Sequence, residues 1–189
     1  MFGKNLPEIR LWGERVVLRP PKNTDYLDWL KLRSTSAAFL QPWEPAWPAD
    51  ALSRAAWRRF YLRVVEDWQK DQAYSFFIFL RHNDQLIGGI NLNRVQRGVA
   101  QRATLGYWIG ESFKQQGYMT EALRLAVQLG FGELHLQRLE AAFIPHNHAS
   151  RALLQRLGFV EEGRLRRYLQ INGQWHDHIM ASLIIDDLV

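Results

Sequence analysis

The sequence predicts a mixed α/β domain with one largely antiparallel sheet flanked by helices. Two patterns and one absence lead there. Between Tyr74 and Ile109 three apolar runs of strand length follow one another, parted only by turn residues, as hairpin-linked strands do. A helix-spaced set, Ala122, Leu125, Ala126 and Leu129, then separates the last of them from the next strand, so the chain crosses over there. No G-x-G-x-x-G follows the first strand, and helices do not alternate with strands throughout, which disfavours a doubly wound dinucleotide fold.

Residues 15–19 read as the first strand, closed by Pro20-Pro21. Thr24 can cap a helix carrying Leu27, Leu30 and Leu32. Residues 41–48 form a loop holding three prolines and two tryptophans. A second helix is expected over 50–70, with Leu52, Ala56, Phe60, Val64 and Trp68 on one face. Strands follow at 74–80, 86–95 and 104–109, with turns at Asn83-Asp84 and Arg97-Gly98. After the helix that opens past Gly117 come a fifth strand at 139–144 and a short helix over 147–156, closed by Gly158. Residues 168–171 and 175–184 flank Asn172-Gly173, the strongest short hairpin signal.

The chain has 189 residues, 47% hydrophobic, which suits one domain spanning 1–189. With no Cys there is no disulfide framework and no thiol nucleophile. Met1 to Arg10 lacks a signal-like apolar run and no segment has transmembrane length, so a soluble, cytoplasmic protein is expected. Lys and Arg total 24 against 19 Asp and Glu, a net charge of +5 with clusters at Arg58-Arg59 and Arg164 to Arg167. Such a surface favours polyanions, although an ordinary positive excess explains each cluster taken singly.

Leu105 to Ala122 carries most of the functional information. It reads as an apolar strand ending at Trp108-Ile109, a polar loop, and an amphipathic helix. A loop entering a helix N-terminus presents free N–H groups and the positive end of the dipole, which suits a phosphate-bearing cofactor. Asn147, Ser150 and Leu157-Gly158-Phe159 follow downstream. Together these residues resemble the GCN5-related N-acetyltransferase (GNAT) superfamily, whose phosphate loop usually reads Arg/Gln-Gly-x-Gly-x-Ala/Gly. Here Gly117 keeps the second glycine, while Gln115 and Met119 replace the first glycine and the small residue. Residues 168–178 and Gln41-Pro42-Trp43-Glu44-Pro45 are similar to the branch containing the ribosomal-protein-alanine N-acetyltransferases.

The resemblance implies that the fourth and fifth strands splay apart and that acetyl-CoA enters as cosubstrate. Its expected contacts are Trp108, Ile109, Lys114, Gln115, Gln116, Gly117, Tyr118, Met119, Thr120 and Asn147. It implies acetyl transfer to a primary amine, with the N-terminal alanine of a small-subunit ribosomal protein as acceptor. Amine attack on a thioester needs a neutral amine, a stabilised oxyanion and a leaving thiolate. A protein α-amino group titrates near ~8, so the base need not be strong. Matching the branch, Glu111 is the candidate base, directly or through one water. A backbone N–H in the Trp108-Ile109 region is the candidate oxyanion donor, with Gly106 and Gly110 allowing irregular backbone. Many relatives place a tyrosine four residues before the Gly-Phe pair to meet the thiolate. This chain has Leu154 there, so Ser150, at the start of the same helix, is the candidate.

Each assignment has a plainer rival. Glu111 can be a solvated loop carboxylate, Ser150 part of a capping turn, Asn147 simply an N-cap, and Gly106 and Gly110 packing or turn residues. Trp43 and Trp47 either wall the acceptor pocket or fill the core, and His146 and His148 are alternative bases. His176-Asp177-His178 reads as hairpin surface, since no third ligand is signalled and no metal is expected. Two other functions remain open. One is an acetyltransferase for a small amine such as a polyamine, amino acid or aminoglycoside. The other is a non-catalytic ribosome- or RNA-associated module, although no nucleic-acid motif is recognised. Oligomeric state is not legible.

Overall fold

The computed structural model describes residues 6–188, so the first half of the Met1 to Arg10 stretch lies outside the described residues. One sheet of eight strands runs in the order β1-β2-β3-β4-β5-β6-β8-β7. Its strands are β1 (Leu11–Trp12), β2 (Val16–Arg19), β3 (Tyr74–Leu80), β4 (Leu86–Gln96), β5 (Arg102–Ile109), β6 (Arg138–Phe143), β7 (Val160–Ile171) and β8 (Gln174–Ile184). The helices are α1 (Tyr26–Thr35), α2 (Ala37–Leu40), α3 (Arg54–Gln69), α4 (Tyr118–Gln128) and α5 (His148–Arg156). Every strand pair is antiparallel except β5 with β6, which α4 joins as a crossover.

Strand alternation splits the core in two. Val16 and Leu18 of β2, with Phe76, Ile78 and Leu80 of β3, face Ala122, Leu123 and Ala126 of α4 in the larger cluster. Their neighbours Val17, Phe77 and Phe79 point the other way, onto Leu32 of α1 and Trp57 of α3. Trp57 is 1% exposed and lies among the rings of Tyr26, Trp29, Phe60 and Phe77. Helices therefore cover both faces.

Several boundaries differ from the sequence expectation. Thr24 is not the cap of α1. It lies inside a 3-10 turn, Asn23–Asp25, and Asp25 reaches back to accept the Lys22 N–H at 2.7 Å while taking both Arg19 guanidinium nitrogens at 2.8 Å. The two-residue β1 precedes the expected first strand and is too short to signal itself. Helix α3 begins at Arg54, where Ser53 accepts the Ala56 N–H at 3.0 Å, so Asp50 to Ser53 is a turn. Strand β7 begins at Val160, eight positions before 168, because an exposed edge strand rich in Glu and Arg lacks alternation. The Asn172-Gly173 turn has φ of 45° and 80°, the pair a type I′ hairpin needs.

Strands β6, β7 and β8 are tied by Glu162, which accepts from Arg138 Nη1 at 2.8 Å and from Ser182 Oγ at 2.6 Å. Arg138, and then Ser182, hold its carboxyl down from 4.5 to about 2. A depressed carboxyl stabilises the fold above its unfolded pKa and loses that contribution as pH falls through the folded one. The urea midpoint of Glu162→Gln is therefore expected to lie below that of the parent at neutral pH. The two should converge between pH 4.5 and about 2. The gap should be small, since the carboxylate is 43% exposed and solvent screens it.

Candidate active site

Strands β5 and β6 pair only at Arg102 with Arg138, Ala103 with Leu139, and Thr104 with Glu140. Beyond that point β5 stays with β4 and β6 with β8, so the facing edges diverge, as the fold expectation held. A cavity of about 570 Å³ occupies the opening. Its walls are Tyr107, Trp108 and Ile109 of β5, the start of α4 and the loop before it, the α5 face carrying Asn147 and Ser150, and Phe39, Leu40, Trp43 and Glu44.

The loop into α4 is shaped by two left-handed residues, Gln115 at φ 60° and Gly117 at φ 82°. Among the described residues no side chain caps α4, and Gly117 to Thr120 line the cavity, so its first-turn N–H groups lie there without a side-chain acceptor. Glu121, in that first turn, is committed elsewhere. It accepts the Arg15 N–H at 2.7 Å, the Val16 N–H at 3.2 Å and Arg15 Nε at 3.0 Å. Burial raises its carboxyl, but these three hydrogen bonds and the Arg15 charge prevail and hold it below the usual value. Arg15 Nη1 also donates to the Gln116 carbonyl at 3.0 Å. Met119 is buried in the larger core, which accounts for its replacing a small residue.

On the opposite wall Asn147 caps α5, its Oδ1 accepting the Ser150 N–H at 3.0 Å. Ser150 Oγ lies 2.6 Å from the hydroxyl of Tyr107 across the cleft. Burial pushes that phenol up to about 12, so it is protonated at neutral pH. The sequence reading missed Tyr107, and its one available signal was a tyrosine in a strand, whose hydroxyl needs a partner when buried. It also missed Arg156, a cavity-lining cation on α5.

Of the residues expected to hold a cofactor, Trp108, Ile109, Lys114, Gln115, Gly117, Tyr118, Met119, Thr120 and Asn147 line the cavity together with Ser150. Gln116 does not, because its side chain turns back to donate to the Ser112 carbonyl at 2.8 Å. Glu111 is not brought to the lining either. Its carboxylate is 48% exposed and pairs with Lys114 at 3.0 Å, while its N–H donates to Ser36 Oγ at 3.0 Å. The Trp108 ring lies against Phe77 with Arg33 above it, so that side chain belongs to the smaller core. Gly110 has an ordinary φ of −62°, and a Cβ there would sit 2.4 Å from Leu32 Cδ1, so it serves packing against α1.

Trp43 lines the mouth, 5.6 Å from the His146 ring. Trp47 instead donates to Glu44 at 2.8 Å, and Arg33 grips the same carboxylate with both nitrogens at 2.7 and 2.6 Å. In the hairpin, Asp177 accepts the Arg167 N–H at 2.8 Å, and His178 turns inward with Nδ1 3.0 Å from the His176 carbonyl.

Comparison with known proteins bears on this geometry. Residues 15–160 match the family described as acetyltransferase (GNAT) domain. The chain is 34% identical over 189 residues to the [ribosomal protein uS5]-alanine N-acetyltransferase of Escherichia coli (strain K12), covering 99% of this chain and 97% of the relative. Among solved structures, a ribosomal-protein-S5-alanine acetyltransferase from Vibrio fischeri is similar with a TM-score of 0.88 at 29% identity, covering 95% of this chain and 98% of that one. Mycobacterium smegmatis RimJ in complex with CoA-disulfide gives 0.87 at 31% identity, over 92% of this chain and 83% of that one.

Removing the Glu121 carboxylate leaves the partly buried Val16 amide and the Arg15 guanidinium without their acceptor. Glu121→Ala is expected to lower stability by about 2 kcal/mol in urea unfolding. It should also weaken binding at the cavity, since Arg15 then no longer holds Gln116. A stable variant with unaltered ligand binding would refute this coupling.

Proposed function

The chain belongs to the acetyltransferase (GNAT) domain family, and from that premise we propose that it moves acetyl from acetyl-CoA to the N-terminal alanine of a ribosomal protein. In this reading residues 1–189 work as one acyl-CoA N-acetyltransferase domain in the cytoplasm, where ribosomal proteins are made. One observation carries the reading. The β5–β6 ladder ends after three pairs, and the cleft so opened runs onto the uncapped N-terminus of α4. An extended arm bearing amides fits the unpaired strand edges, and a diphosphate fits the helix N-terminus.

The proposed steps follow from the walls. The neutral amine attacks the thioester carbon, and the carbonyl oxygen takes the charge beside a backbone N–H of Trp108 or Ile109. Collapse forms the amide and breaks the C–S bond. One amine proton is shed and the sulfur gains one, so the exchange balances. Ser150, on the α5 wall, meets the sulfur with its hydroxyl. Glu111 lies past the end of β5, outside the lining, so its proposed part as base is exercised through a water.

The acceptor side favours a protein N-terminus over a polyamine. Among the described residues Glu44 is the one carboxylate in the cavity lining, and Arg33 and Trp47 already occupy it. A polycation would find no free acid there.

Calorimetry with acetyl-CoA is expected to show binding, and an alanine-initiated peptide to gain one acetyl group by mass spectrometry. Spermidine in its place should stay unmodified. If spermidine is acetylated faster than the peptide, the acceptor assignment falls. Glu111→Gln is expected to lower kcat near neutral pH while leaving acetyl-CoA binding intact. That loss should fade above pH ~8, where the amine sheds its own proton. Equal losses in binding and turnover would remove Glu111 from the role of base.

A further inference from the structure

Ser150 cannot aim its hydroxyl unaided. Its backbone N–H is fixed by Asn147, but an O–H rotor is free unless a partner takes one of its positions. Across the cleft the Tyr107 hydroxyl supplies that partner at 2.6 Å. Either oxygen can donate, and accounting for hydrogens decides between them. Among the described residues neither hydroxyl makes another side-chain hydrogen bond. If Ser150 donated, the hydrogen of the buried phenol would have no acceptor among the described residues. If Tyr107 donates, its hydrogen is satisfied, and the serine hydrogen is free to face the cavity.

We propose that Tyr107 is a positioning residue: it donates to Ser150 Oγ and so turns the serine hydrogen toward the departing sulfur. The inference rests on the reading above that Ser150 meets that sulfur. Position 154 on the same helix is a core leucine, 1% exposed, so α5 offers no phenol of its own there. Tyr107 stands in from the facing strand and acts through the Ser150 hydroxyl. It does not itself release a proton, because burial keeps the phenol protonated well beyond neutral pH. Ser150 likewise gives a hydrogen bond and keeps its proton. The C–S electron pair leaves on sulfur and takes a proton from water, matching the one the amine sheds to water.

A double-variant cycle on the full chain tests this, using acetyl-CoA and an alanine-initiated peptide and following CoA thiol release. Tyr107→Phe keeps the ring and removes one hydrogen bond. It should lower kcat about tenfold, with KM for acetyl-CoA within about twofold of the parent. Ser150→Ala should lower kcat by at least as much, and the double variant should be no slower than Ser150→Ala alone. Thermal unfolding of each variant shows whether it is folded. If Tyr107→Phe unfolds, Ser150→Ala paired with Tyr107→Leu is read in the same way. Slow Ser150→Ala with unimpaired Tyr107→Phe, or losses that multiply in the double variant, overturns the inference about Tyr107 and spares Ser150. Unimpaired Ser150→Ala, or a parent chain that releases no CoA, overturns the Ser150 reading and the inference with it.

Discussion

The cleft exists because one parallel ladder is short and the two antiparallel ladders beside it are long. Strand β5 is held by β4 from Ile109 back to Arg102, and β6 is held by β8 along its whole length. Each strand is thus secured on its outer edge, and the pair can part after Thr104 and Glu140 without either fraying. The inner edges then carry main-chain N–H and C=O groups with no strand to meet them. Such groups need water or a polar ligand. A wedge with these edges calls for an extended molecule rich in amides, which is a stricter demand than an apolar pocket makes.

The diphosphate end is prepared by a different device. A first-turn carboxylate stabilises a helix, yet it usually does so by covering the N–H groups an anion would use. Here Glu121 serves the dipole from the side, with its oxygens turned to Arg15 and Val16 of the β2 segment. Arg15 returns the contact by holding the Gln116 carbonyl and stacking 5.0 Å from the Tyr118 ring centroid. The helix tip stays open while the loop before it is braced from the neighbouring strand. That brace explains how two residues of positive φ, Gln115 and Gly117, fit one short loop.

Much of this was legible in the chain, and the failures have physical causes. The apolar-run signal gave β3 to β5, because each has residues in both core clusters and so is apolar on both faces. It did not give the charged half of β7, whose exposed edge imposes no alternation. The nine lining residues read from the loop, β5 and Asn147 were accessible because main-chain geometry at a helix start is local. Tyr107 was not, since its meaning lies in a partner 43 positions away. Glu111 shows the converse limit. Its place just after β5 suggested the cleft, but Lys114, three residues on, draws the carboxylate to the surface.

The acceptor end joins two stretches that looked unrelated in the chain. The 41–45 segment and the 168–178 hairpin each resembled one branch of the superfamily, with no reason evident for the coincidence. In the folded protein the hairpin tip donates the Asn172 N–H to the Glu44 carbonyl at 2.8 Å, so the two stretches form one structure. Glu44 is anchored at both ends, its main chain by the hairpin and its carboxylate by Arg33 and Trp47. Arg33 is in turn held 4.4 Å from the Trp47 ring centroid and 4.9 Å from that of Trp108, which links the loop to β5. A loop fixed from three directions keeps Trp43 at the cavity mouth in one place. Its carboxylate is neutralised internally, so Glu44 presents no unpaired charge at that mouth.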